Sequence, residues 1–251
     1  SLKRETFAYC GGLTTVTTHE SLADIADLTF LDCTRLTGFR LGNAITNIGC
    51  AAFSGSGITS ITIPGSVRVM SGWITDNNKV WQCGGFSTCL SLTNVTILDG
   101  VEEITSSAFR GCSNLATVFM PYSLNKIGDH AFKDCSGLTQ LGIPDGVSII
   151  GAGAFENCTG LTTITIPKGV TNIGDWVFSG CTNLTSVTIP DGVTRIGDSS
   201  FSGCTSLSNF TLPDSVTHVG EGAFARCTSI VSIEIPEGIK SLSYTFAGCI
   251  N

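Results

Sequence analysis

Three histidines, His19, His130 and His218, are the side chains most able to move protons near neutral pH. They stand far apart, and no Cys-x-x-Cys or His-x-x-x-His pair accompanies them, so zinc has no ligand set here. Serine and threonine are abundant, but no base is spaced to activate one as a nucleophile. Gly11-Gly12-Leu13 and the stretch Gly111 to Leu115 look like turns, since no lysine follows them as a phosphate loop requires. Carboxylates recur in two series. Asp129, Asp175, Asp198 and Glu221 form one; Asp99, Asp145, Asp191, Asp214 and Glu237 form the other, interrupted by Lys168. Paired carboxylates can do acid–base work, but a series with one member per interval is better read as capping and turn formation. Neither an enzyme nor a cofactor is expected, and no metal site.

The interval is what positions these residues. Phe7, Phe30, Phe53, Phe86, Phe109, Phe132, Phe155, Phe178, Phe201, Phe224 and Phe246 follow one another mostly at steps of 23. A cysteine follows three residues after each, from Cys10 to Cys249, except at Phe53, where one residue has dropped out. Pro121, Pro144, Pro167, Pro190, Pro213 and Pro236 each stand twelve residues after a phenylalanine. The unit reads F-x-x-C-x-x-L-x-x-I-x-I-P-x-x-V-x-x-I-G-x-x-A. A period of 20–29 residues around an L-x-x-L-x-L core marks a leucine-rich repeat.

Each part of the unit has a physical role. Leu184 to Pro190 alternates apolar and polar residues, as a short strand does, with Val187 and Ile189 inward and Ser186 and Thr188 outward. Pro190 ends the strand and Asp191-Gly192 turns the chain. Val193 to Ile196 is a second extended piece. Gly197 turns again, and Asp198 is placed to N-cap a single helical or 3₁₀ turn carrying Phe201 and Cys204 on one face. One unit cannot bury its apolar side alone, so the units must stack. The expected fold is mainly β: a right-handed solenoid of about eleven 23-residue repeats over residues 1–251, a single domain with a loop inserted at about 71–81. The first two repeats are irregular, with His19 and Gly42 where proline belongs.

Ten of the twelve cysteines share one core-facing position, where a free thiol packs as a small hydrophobe. Cys50 and Cys83 differ. Each stands three residues before its phenylalanine, in consecutive repeats, so the two are equivalent on adjacent rungs. They are either free thiols or one disulfide that pins the insertion.

The motif resembles the BspA-like, or treponemal-type, leucine-rich repeats; Cys158 to Phe178 is close to that consensus, and the resemblance covers about 240 residues. It implies a secreted or surface-attached protein with a role in adhesion to host matrix proteins, host cells or other microbes, and it brings no catalytic residues.

A binding site would then lie on the outward positions of the strand sheet, the face expected to be concave. Most of these are small hydroxyls; Arg40 and Phe119, with Tyr122 nearby, are the exceptions. The insertion supplies a second candidate through Trp73 and Trp81, flanked by Asp76, Asn77, Asn78 and Lys79; the two indoles either contact a ligand or pack back on the solenoid. The function expected is a non-enzymatic extracellular adhesion module for a protein ligand such as a host matrix or cell-surface protein. The alternative is a structural spacer that presents another module at the cell surface. The net charge of −7 argues against nucleic acid and anionic membrane as partners. No apolar run approaches the ~20 residues of a membrane span, and a monomer is expected. The chain is expected to be a fragment of a longer one, so the lack of an apolar leader in "SLKRETFAYC" decides nothing.

Overall fold

The computed structural model describes the backbone of residues 2–76 and 79–249; Asn77, Asn78 and the side chains of 73–82 lie outside the described residues. The chain winds as a mainly β parallel solenoid, and the paired strands mark about eight turns. Front strands include Ser60–Ile63, Asn94–Ile97, Thr117–Phe119, Thr163–Thr165 and Ser186–Thr188, paired in parallel and in register. Gln140 and Asn209 join this face through single bridges. A second, shorter column runs behind it, including Glu103–Ile104, Lys126–Ile127, Asn172–Ile173 and Arg195–Ile196. Alternation works as expected: Val187 and Ile189 are buried, while Thr188 is exposed.

The phenylalanines form one column through the core. From Phe7 to Phe246 successive rings stack with centroids 5.1–5.6 Å apart. The column runs further than the strands, which fade after His218–Val219. Each buried ring contributes roughly 1.5–3 kcal/mol of transfer free energy, and the stacking adds to it.

The segment that carries each phenylalanine is not helical; among the described residues no helix forms. Instead the backbone alternates between right- and left-handed conformations. Trp176, Ser199 and Asn157 take positive φ, as do Gly180 and Gly203. The alternation turns every second N–H along the stack. Trp176 N–H donates to the Asp198 carbonyl at 2.9 Å, Phe178 to Ser200 at 2.7 Å and Gly180 to Ser202 at 2.7 Å. The N–H groups between close local turns, Ser179 to Trp176 and Cys181 to Phe178, both at 3.1 Å. A helical turn would keep its N–H groups for its own carbonyls and leave the rungs unconnected; six residues are also too few for a stable helix.

The expected N-cap role of Asp198 is corrected by the same geometry. Its Oδ1 accepts the N–H of Glu221, the equivalent residue one rung later, at 2.9 Å. Asp27, Asp129 and Asp175 do the same for Cys50, Ala152 and Asp198 at 2.7, 2.9 and 2.9 Å. The close approach explains the glycine that precedes this position: a Cβ at Gly197 or Gly220 would collide with the previous rung's aspartate and backbone.

The cysteines supply a further inter-rung bond. Each core thiol donates to the carbonyl of the previous rung's phenylalanine, as Cys158 does to Phe132 and Cys181 to Phe155, both at 3.2 Å. Ser56 occupies this slot after Phe53. It is 2% exposed, its N–H donates to Phe53 at 3.0 Å, and its Oγ lies 3.8 Å from Cys89 Sγ. The dropped residue therefore follows the cysteine position instead of removing it.

The insertion is an antiparallel hairpin, Ser71–Asp76 paired with Lys79–Gly84. It leaves the solenoid intact, since Phe53 and Phe86 stack at 5.2 Å across it. At its base Cys50 and Cys83 face each other as a disulfide pair with Cα atoms 5.1 Å apart, within the range such a bond needs. Met70, the last residue before the hairpin, donates its buried N–H to Thr105 Oγ1 at 3.2 Å. Thr105 stands where other rungs carry the I-G glycine, so its hydroxyl fills a gap that the hairpin opens in the ladder.

Two outcomes follow from this packing. Burial pushes the Cys227 thiol up to about 12 from its ordinary 9.0, and holds Cys135, Cys158, Cys181 and Cys204 well above it. Unfolded thiols lose protons first, so stability is level below about pH 9 and falls as pH rises above it. Native alkylation read by mass should accordingly label exposed Cys10, leave Cys112 to Cys227 unlabelled, and label Cys50 and Cys83 only after reduction. Free labelling of Cys50 and Cys83 without reductant would exclude the bond. Thr105→Val should lower unfolding free energy by about 1–3 kcal/mol in urea titration, because a buried N–H loses its acceptor.

Candidate functional site

The front sheet offers two outward columns. One runs Ser60, Asn94, Thr117, Gln140, Thr163, Ser186 and Asn209; the other runs Thr62, Thr96, Phe119, Gly142, Thr165, Thr188 and Thr211. These strands point their hydroxyls and amides to solvent because their β-branched partners, Ile61, Val95, Val118, Ile164 and Val187, are held in the core. Between Arg40 at one end and Glu234 at the other, neither column contains a charged side chain. The charges lie elsewhere. Lys126 pairs with Glu103 at 3.0 Å on the second column, and Lys133 with Glu156 at 2.7 Å in the phenylalanine-bearing turns.

Phe119 is 62% exposed and sits in register with Thr96. Tyr122, on the same rung beyond Pro121, is 92% exposed, and its N–H donates to Asp99 Oδ1 at 3.1 Å. Asp99 thus caps the next rung's turn. Arg40 is exposed near the amino-terminal end, where it lines a depression with Thr62, Asn94, Thr96 and Leu98. The structure therefore places Phe119 and Tyr122 on one rung and Arg40 at a separate place on the same face. Trp73 pairs its backbone with Gln82 and Trp81 with Ile74 in the hairpin; both indoles lie outside the described residues.

Leu98 was not foreseen as a surface residue. It occupies the slot that proline fills in later rungs, is 43% exposed, and donates its N–H to Ile63 at 2.9 Å, a bond proline cannot make. The missing proline was the available signal. Gly142, an outward position legible from the repeat, adds an opening that the sequence does not show. A Cβ there would meet nothing within 4 Å, so the threonine column has a gap beside Phe119.

Among the described residues, no three His, Cys, Asp or Glu side chains converge on a point that could hold a metal ion. No described helix is long and apolar enough to cross a membrane. His130 Nδ1 is 3.7 Å from Glu156 Oε2, the carboxylate that also pairs with Lys133. The arrangement can hold a ligand by hydrogen bonds and an aromatic face.

The sequence profile of the BspA type leucine rich repeat region matches six copies, over residues 1–83, 79–204 and 125–251. No curated protein matches the chain significantly. Solved structures do. A leucine-rich repeat protein from Bacteroides ovatus is 28% identical with a TM-score of 0.63, over 100% of this chain and 74% of that one. The leucine rich repeat protein of T. pallidum is 27% identical with a TM-score of 0.57, over 76% and 81%. A leucine rich cell surface protein from Faecalibacterium prausnitzii is 26% identical with a TM-score of 0.56, over 98% and 74%. With the repeat, its register and the profile in agreement along the whole length, this chain belongs to the BspA type leucine-rich-repeat family.

Proposed function

We propose that this chain is a non-enzymatic adhesion module that works outside the cell or on its surface, as a solenoid of eleven rungs. The count is supported by the phenylalanine column, and the surface location by the likeness to the F. prausnitzii cell surface protein. The observation that carries the reading is the front sheet. Its repeated frame holds a long, uncharged, ordered face on which Phe119 and Tyr122 stand exposed at mid-length. Extended faces of this kind are where solenoids hold partners. A host or microbial surface protein is the partner class, engaged through Phe119, Tyr122 and Arg40. The hairpin with Trp73 and Trp81 is the second surface, held to the rung below by Cys50 and Cys83.

A spacer role is favoured by one feature, the uniformity of the outward residues, which lack the Tyr, Trp and Arg density of most protein-binding faces. The two roles separate on an array of matrix proteins and microbial surface extracts. Saturable binding that falls at least about tenfold in Phe119→Ala, or in Trp73→Ala/Trp81→Ala, identifies an adhesion module and its face. Silence across the array identifies a spacer.

A further inference from the structure

We infer that the front sheet holds an uncharged sugar chain, with one ring seated in the notch at Gly142 beside Phe119. The inference rests on the adhesion reading and names the chemistry of its ligand.

Three observations lead there. First, the outward columns from Ser60 to Thr211 contain no charge. A charged partner would find no counter-charge within these two columns, the carboxylates Asp99, Asp145, Asp191 and Asp214 standing beyond the strand ends, and would lose hydration on reaching them. Hydroxyls and amides remain, and each both donates and accepts. A neutral polyhydroxylated ligand matches that inventory. Second, the face has one relief at its centre. Gly142 replaces the threonine of its column, and the space above it is open. Gln140 lies on the same rung, and Thr163 and Thr165 on the next. Thr117 lines it on the rung before, where Phe119 holds the position equivalent to Gly142. Two strand spacings make the notch about 10 Å across, room for one sugar ring edge-on. Third, Phe119, one repeat before Gly142 in the same outward column, leaves 62% of its surface in water. The face of an aromatic ring is electron-rich and attracts the weakly positive C–H groups of a pyranose.

A peptide fits less well. Strand addition needs a free edge; beyond the notch Gln140 is bridged to Thr163 and Thr163 paired with Ser186, while Thr117–Phe119, the outer strand of its own ladder, has the Gln140 rung beside it in the stack and no room for an added strand between. Anchoring by side chains needs several apolar pockets, whereas Phe119, Tyr122 and Leu98 stand out from the described face as exposed side chains.

The test is affinity electrophoresis of the chain through gels containing a neutral polymer (β-glucan, mannan or galactan) or a charged one (alginate or heparin). At least one neutral polymer should retard the chain, and about 0.5 M salt should leave the retardation unchanged, because no ion pair is involved. Phe119→Ala removes the ring. Gly142→Val fills the notch where open space and an ordinary backbone conformation accept it. Each should weaken retardation about tenfold without moving the melting temperature. Retardation by no neutral polymer overturns the inference, as does retardation that both variants leave intact. Binding to a glycoprotein that survives enzymatic removal of its glycans overturns it too, while leaving the adhesion reading standing.

Discussion

Every N–H in the phenylalanine-bearing turns needs an acceptor, and half of them find it only on the next rung. That constraint governs the rest of the structure. It forces the backbone into alternating right- and left-handed conformations, which explains why glycine, asparagine and aspartate recur two residues after phenylalanine. It fixes the vertical step, and the rings inherit that step as a column of stacked faces. A rung that departed from it would leave its neighbour's donors unpaired. The unit is therefore repeated with so little variation because each copy is the acceptor of the one before.

The cysteine column follows from the same requirement. The slot is buried, and it faces a phenylalanine carbonyl on the previous rung. A thiol fills it as an apolar group and still offers a weak donor. Ser56 shows that the slot tolerates a hydroxyl of similar size. Ten such thiols in one chain signify packing and not redox chemistry, since the core members are held protonated by burial. Cys50 and Cys83 sit outside that column, on the edge where the hairpin leaves the solenoid.

The strands were legible because inward and outward residues alternate in nearly every unit, and Pro190 and its equivalents mark their ends. The turns were less legible. Asp198 three residues before Phe201 has the spacing of a helix cap, and nothing local distinguishes a cap for its own rung from an acceptor for the next. That distinction lies in contacts 23 residues away. Thr105 likewise reads as an ordinary departure from glycine until Met70 is found beside it. On the front face, Phe119 was legible as an outlier in its column, whereas the opening beside it comes from the absence of a side chain at Gly142. Fold resides in the residues that repeat, and the proposed binding in the few outward positions that do not.

The central claim is that the ring column with its inter-rung bonds holds the solenoid together. Urea titration of Phe155→Ala beside Phe246→Ala tests it most directly. Phe155 is buried with rings on both sides; Phe246 is part-exposed at the end of the column. The account predicts a loss of about 3–5 kcal/mol for Phe155→Ala and clearly less for Phe246→Ala. Equal losses, or a loss below about 1 kcal/mol at Phe155, would contradict it.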